Sequence, residues 1–192
     1  QRFSLWYRLK KFVAWMLRLK RNVREPSRSK TEVKFLRKPE PLTVDEMKEA
    51  ELSIVKYVQG KSFAEEIRTL QRKTGNEVRS ATERVLSKKV VNIKKSSRLY
   101  QLDPELKDGI PRIGGRLQHS GLSEEARHQA ILPKDHHVTM LLVRHFHIIS
   151  VHSGREYVFL QLRSKFCLIR GIATVRMILS QCIDCRRRQA QF

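Results

Sequence analysis

Acidic residues are what this sequence most lacks: 19 Asp+Glu stand against 40 Lys+Arg, a formal net charge of +21 at pH 7. No fold needs such an imbalance, and self-repulsion makes it mildly unfavourable. The deficit therefore points outward, to a polyanionic partner such as nucleic acid or an anionic membrane surface; the alternative is a basic chain with no such partner. Cysteine is scarce as well. Three in 192 residues exclude a disulfide scaffold, and two of them stand as C-x-x-C, Cys182 and Cys185, which in a reducing compartment reads as metal or redox chemistry. Long apolar runs are missing too. None approaches the ~20 residues of a membrane-spanning helix. Arg8, Lys10, Lys11, Arg18 and Lys20 interrupt every apolar run near the start, so no secretory signal is expected there. The chain opens on Gln1 and stops on Phe192, soon after the C-x-x-C, and is expected to be a piece of a longer polypeptide.

Four segments follow from the pattern. Residues 1–42 hold a basic amphipathic helix over 1–24, with Phe3, Trp6, Leu9, Phe12 or Val13, and Met16 at helical spacing, then a linker punctuated by Pro26, Pro39 and Pro41. The apolar face suits a membrane surface or a neighbouring domain; packing on a domain is the expected use, with no membrane partner. Residues 43–98 open on a capping box, Thr43 and Glu46. The helix behind it carries Met47, Ala50, Ile54, Val55 and Val58 and is expected to end at Gly60. A second box, Ser62 and Glu65, starts a helix with Phe63, Ile67 and Leu70, and the polar run with Lys88, Lys89, Lys94 and Lys95 reads as a solvated face or loop.

Residues 99–134 contain strand candidates over 99–102 and 110–117, flanking a tight turn at Asp108-Gly109, with a bend or bulge at Gly114-Gly115. Residues 135–192 read as helical. Asp135 is expected to cap a helix with Val138, Leu141, Leu142 and Phe146. Ser153 and Glu156 form a third box before Phe159, Leu162 and Phe166. Ile172, Val175, Leu179 and Cys182 then share a helical face. The fold class expected is mainly α with a small β-hairpin region. Three short helices bury little core unaided, so a metal staple is physically wanted in the last segment.

That segment offers one. Structural zinc takes four Cys and His ligands tetrahedrally, and here stand His147-x4-His152 and, after 29 intervening residues, Cys182-x2-Cys185. The two sulfurs can turn toward one ion as the chain leaves a helix, pinning the first helix of the segment to the third. Arg186, Arg187 and Arg188 follow at once and favour the thiolate that metal binding requires. A redox role for the C-x-x-C lacks the strand-before-helix context such a motif has. His145 rivals His147, because His145-x6-His152 is also a workable spacing, but it shares the face of Val138, Leu141 and Leu142. His119, His128, His136 and His137 read as surface or capping residues, and Cys167 as a packing residue.

The run from His147 through His152-Ser153-Gly154 to Cys182-Ile183-Asp184-Cys185 resembles the H-H-C-C zinc-binding domain of retroviral and retrotransposon integrases. Upstream, Leu102-Asp103-Pro104, Asp108 to Leu117 and Ile131-Leu132-Pro133-Lys134 are similar to the Pol polyprotein of BEL/Pao-type LTR retrotransposons, between the ribonuclease H region and the integrase core. Two departures stand out: Phe166-Cys167-Leu168 replaces an aromatic-Trp pair, and Val158 replaces a common Thr. The resemblance implies a three-helix, helix-turn-helix-like bundle holding one structural Zn²⁺ through His147, His152, Cys182 and Cys185. It also implies DNA contact, at the element's termini or non-specific, and multimerisation with itself or with other integrase and Pol domains. The carboxylates of the catalytic core are absent, so no enzymatic activity is expected of this chain by itself; Asp184 lies inside the zinc knuckle and Glu156 is expected to serve its cap. Arg155, Arg163, Lys165, Arg170, Arg186, Arg187 and Arg188 are the candidate phosphate contacts. The compartment implied is intracellular, the nucleus for a chain active in integration. The alternative is a domesticated DNA- or protein-binding module that kept the zinc unit without integrase chemistry.

Overall fold

Apolar residues at helical spacing, uninterrupted by proline or glycine, make Trp6–Arg24 the first helix, α1. The computed structural model describes residues 3–24, 40–77, 93–114, 120–121 and 123–190. Pro26 and Pro39 of the expected linker, Lys88 and Lys89, residues 115–117 of the second strand candidate, and His119 lie outside the described residues. The chain divides into two compact units, Gln1–Ile54 and Val55–Phe192.

In the first unit, α1 is joined by the start of α2 (Val44–Ser62). The capping box forms as expected: Thr43 N donates to the Glu46 carboxylate at 2.9 Å and Glu46 N donates to Thr43 Oγ1 at 3.3 Å. Glu46 also accepts from Arg18 Nε at 2.7 Å, while Lys10 and Arg21 of α1 pair with Glu51 and Glu49 at 2.8 and 3.1 Å. Arg18, then Thr43, holds the Glu46 carboxyl down to about 2. The expected apolar face divides: Trp6 is buried, Phe3, Leu9 and Val13 are half-buried, and Phe12 and Met16 are exposed.

The second unit begins inside α2, which continues through Gly60 instead of stopping there. Phe63 N donates to Gln59 O at 2.8 Å and Ile67 N to Phe63 O at 2.9 Å, so the backbone ladder runs on into α3 (Ala64–Glu77). Ser62 lies inside α2, so it does not stand at the N-cap of α3 as the second box expects. The expected strand over 99–102 is instead a 3-10 turn, Tyr100–Leu102, closed by Asp103 in a left-handed conformation (φ 41°).

A hairpin follows. Strands β1 (Pro104–Lys107) and β2 (Ile110–Ile113) pair antiparallel, joined by Asp108 and Gly109 with φ of 54° and 73°. Two positive φ values in a two-residue loop match the right-handed twist of the strands, which is why Asp-Gly serves. Two further strands, unanticipated from sequence, extend the sheet in the order β1-β2-β3-β4: β3 (Ala130–Leu132) is antiparallel to β2 and β4 (Phe166–Leu168) parallel to β3. Phe166, expected on a helix, thus lies on a strand. The buried Gln59 reinforces the short β2–β3 join, its Nε2 donating to Pro111 O at 2.9 Å and Ile131 O at 2.7 Å. Phe63, Leu99 and Ile131 form a core cluster against which Leu102, Ile113 and Cys167 pack. Cys167 therefore packs as expected, and burial pushes its thiol up.

After the short helix α4 (Glu124–Arg127), the helices α5 (His137–Ile149), α6 (Arg155–Arg163) and α7 (Gly171–Leu179) pack pairwise on one another, and α8 (Ile183–Gln189) ends the described chain. Their caps differ from expectation. His136, not Asp135, caps α5, its Nδ1 accepting from Val138 N at 3.2 Å; Asp135 stands one residue too early. Gly154 occupies the N-cap of α6, because Ser153 Oγ turns back to donate to Ser150 O, and Glu156 pairs with Arg155 at 2.9 Å. On α7, Thr174, Val175 and Ile178 face inward and Ile172 is exposed, because Gly171 is the residue of closest approach: a Cβ there would collide with the Phe159 ring of α6. His128, expected at the surface, is buried with Nδ1 3.2 Å from Ile113 O.

Candidate metal centre

The last turn of α5 carries His147 inward, only 3% exposed. The chain then reverses within two residues: Val151 and His152 are both left-handed, with φ of 53° and 60°. His152 N donates to His147 O at 2.9 Å, and the two imidazoles meet edge to face, centroids 4.7 Å apart. That reversal is how a four-residue gap brings two histidines to one point. From the other side, α7 ends and Cys182 N donates to Leu179 O at 2.9 Å. Cys182 is the N-cap of α8 and Cys185 lies in its first turn. Residues three apart across a helix start share a side, so the sulfurs converge as the chain enters a helix, not as it leaves one.

Four donor atoms from three places meet here. His147 Nε2 lies 3.2 Å from Cys185 Sγ and 3.1 Å from His152 Nδ1, which is 3.3 Å from Cys182 Sγ and 3.7 Å from Cys185 Sγ. All four lie within 4.8 Å of one another and could hold one metal ion. Tetrahedral metal–ligand bonds of about 2.0–2.3 Å separate the donors by roughly 3.3–3.8 Å, and four of the six separations here, 3.1–3.7 Å, lie close to that range. His145, the rival ligand, is half-buried with its ring edge-on to Phe146 and is not part of the cluster.

The electrostatics of the group follow from burial and from its own members. Burial, then His152, lowers the His147 pKa, keeping the imidazole neutral as a ligand must be. Burial, then Cys182, pushes the Cys185 thiol up. The expected assistance from the arginine run is slight: Arg188 favours the thiolate, but desolvation and the second sulfur outweigh it. A cation shared by the four donors reverses that balance. Asp184 Oδ2 stands 3.8 Å from His152 Nε2, the ring nitrogen that faces away from the sulfurs, beyond hydrogen-bond distance. Of the left-handed pair, His152 is of a type enriched at positive φ, whereas the β-branched Val151 is not and gave no sign of the turn.

The seven candidate phosphate contacts are all exposed and lie on several elements. Arg155 opens α6 and pairs with Glu156; Arg163 closes it, over the Phe159 ring at 5.6 Å. Lys165 precedes β4 and lies 3.8 Å from Glu125, Arg170 is the N-cap of α7, and Arg186, Arg187 and Arg188 are on α8. No helix among the described residues is long and apolar enough to cross a membrane. No protein-family model, curated protein or solved structure matches the chain.

Proposed function

We propose that this chain is the non-catalytic, zinc-stapled front portion of a retrotransposon integrase, assisting DNA integration by contacting DNA and by multimerising. The convergence of His147, His152, Cys182 and Cys185 carries the reading, because those four residues are also where the resemblance to the H-H-C-C domain is most specific. Two imidazoles and two thiolates are a borderline-soft donor set that suits Zn²⁺ over Mg²⁺ or Ca²⁺. Bound there, zinc supplies no chemistry beyond tying the end of α5 to the start of α8. The mutual packing of α5, α6 and α7 supports the helix-turn-helix-like bundle that the resemblance implies. The exposed arginines and Lys165, within a chain of net charge +21, supply the means to hold phosphates.

The purified protein is expected to hold one zinc per chain, lost in Cys182→Ser and His147→Ala but kept in His145→Ala, as read by metal analysis. Folded wild-type protein that takes up no zinc ends the proposal. With duplex DNA, binding should be largely indifferent to sequence. It should fall on the order of a hundredfold or more between 50 and 200 mM salt if about four to six phosphates are engaged, at a slope near −0.9 per phosphate. Replacing Arg186, Arg187 and Arg188 by Ala should flatten that slope and leave zinc in place. Strand transfer or nuclease activity that a point substitution in this chain abolishes would overturn the non-catalytic assignment.

A further inference from the structure

The second unit has a concave, strongly basic feature that shares no residue with the metal cluster. The strands β3 and β4 run parallel and end together: Leu132 is in register with Leu168, and Ile169 N donates to Leu132 O at 3.1 Å. Lys134 and Arg170, each two residues beyond its strand, therefore leave the sheet at the same end. There they line a cavity of about 590 Å³ whose other wall includes Lys95, Arg98 and Tyr100, with Cys167 also lining it. Turns fix that wall, with Ser97 N donating to Lys94 O at 2.9 Å and Ser97 Oγ to Glu66 at 2.7 Å. Among the described residues, no Asp or Glu lines the cavity. Lys134 has a carboxylate nearby, Asp135 at 3.5 Å, outside the lining.

Arg170 combines three locally unfavourable features. Its backbone is left-handed (φ 54°), it is the N-cap of the nine-residue α7 without offering a side-chain acceptor, and its cation stands at the positive end of that helix. Four cations around one acid-free cavity, one of them at the head of a helix whose first amides lack intrahelical partners, make a site matched to a polyvalent anion. Tyr100, 44% exposed, adds an aromatic surface, and the volume lies within the range of small-ligand sites.

We propose that this cavity binds a nucleotide, its phosphate groups held by Lys95, Arg98, Lys134 and Arg170 and its base against Tyr100. The inference does not rest on the integrase reading. Calorimetric titration of the full chain, with its metal content verified, tests it using inorganic pyrophosphate, adenosine 5′-diphosphate, adenosine, and an oligonucleotide lacking terminal phosphates. Pyrophosphate and the diphosphate should each saturate one site and compete, while adenosine should not bind measurably. Arg98→Ala and Lys95→Ala should each weaken the diphosphate about tenfold, and Lys94→Ala, an exposed neighbour outside the cavity, should leave it unchanged. Tyr100→Ala should weaken the diphosphate but not pyrophosphate. Absence of saturation up to millimolar diphosphate, or equal affinity in Arg98→Ala and wild type, overturns the proposal. An oligonucleotide that displaces pyrophosphate better than the diphosphate does overturns it too, by making the strand backbone the ligand.

Discussion

Val151 is the residue whose environment says most about the metal centre. It is β-branched, left-handed and 77% exposed, so it gives up little burial in return for a backbone conformation that disfavours it. A left-handed L-residue costs roughly 1–2 kcal/mol, and glycine escapes most of that while adding some unfolded-state entropy. Val151→Gly should therefore stabilise the metal-loaded protein by about 1 kcal/mol in denaturant titration. Equal or lower stability would show that the turn is held without strain. At this scale the sequence was most legible at His147, His152, Cys182 and Cys185, whose donor types and spacing pointed to one cluster, although spacing by itself left His145 open. It was least legible at Val151, His128 and Gln59, whose roles come from backbone reversal and burial set by distant parts of the chain. Glu46 stands between: its capping partner was visible three residues away, but Arg18 was not. Because its folded pKa is depressed to about 2 from 4.5, its stabilising effect is present above pH 4.5 and is lost as pH falls toward 2. The stability difference between wild type and Glu46→Gln should accordingly be constant at neutral pH and shrink across that window. A difference independent of pH would remove the ion pair as its cause.

Among elements, the long periodic helices α1, α2 and α5 could be read from apolar spacing, though not where α2 ends, since buried neighbours carry the helix through Gly60. The hairpin was legible from Asp108-Gly109. Strands β3 and β4 were not, for each has three residues, too few for a period, and β4 has only β3 beside it while β3 joins β2 by a single register pair. The crossing of α6 and α7 likewise depends on a contact that spacing does not encode. Gly171→Ala would drive a methyl into the Phe159 ring and against Leu168. Moving a packed ring for one added carbon costs roughly 1–3 kcal/mol, so thermal unfolding should occur at lower temperature, and Gly171→Ala combined with Phe159→Leu should recover part of the loss. An unshifted melting temperature would mean that the ring yields freely.

Over the whole molecule, the charge imbalance was evident from composition, but the way the last two expected segments join was not. The sheet runs through both, since β4 of residues 135–192 completes the edge of β3 in residues 99–134. A fragment starting at 135 should therefore give dispersed, sharp amide signals only in part, with residues 166–168 exchanging freely, while a fragment starting at 55 should match the full chain over the same region. A well-folded fragment from 135 would show that β4 contributes no stability there. The same parallel pairing has a consequence for how the protein is made. Phe166 follows its partner Ala130 by 36 residues, and at roughly 5–20 residues per second the ribosome needs about 2–7 s to deliver it. For that interval the apolar Ala130-Ile131-Leu132 edge is synthesised and unmatched, available to any other strand in the cell. Slow translation through residues 133–165 lengthens the exposure, and a chaperone that shields that edge shortens it, so the yield of folded protein depends on the tempo of synthesis as well as on sequence.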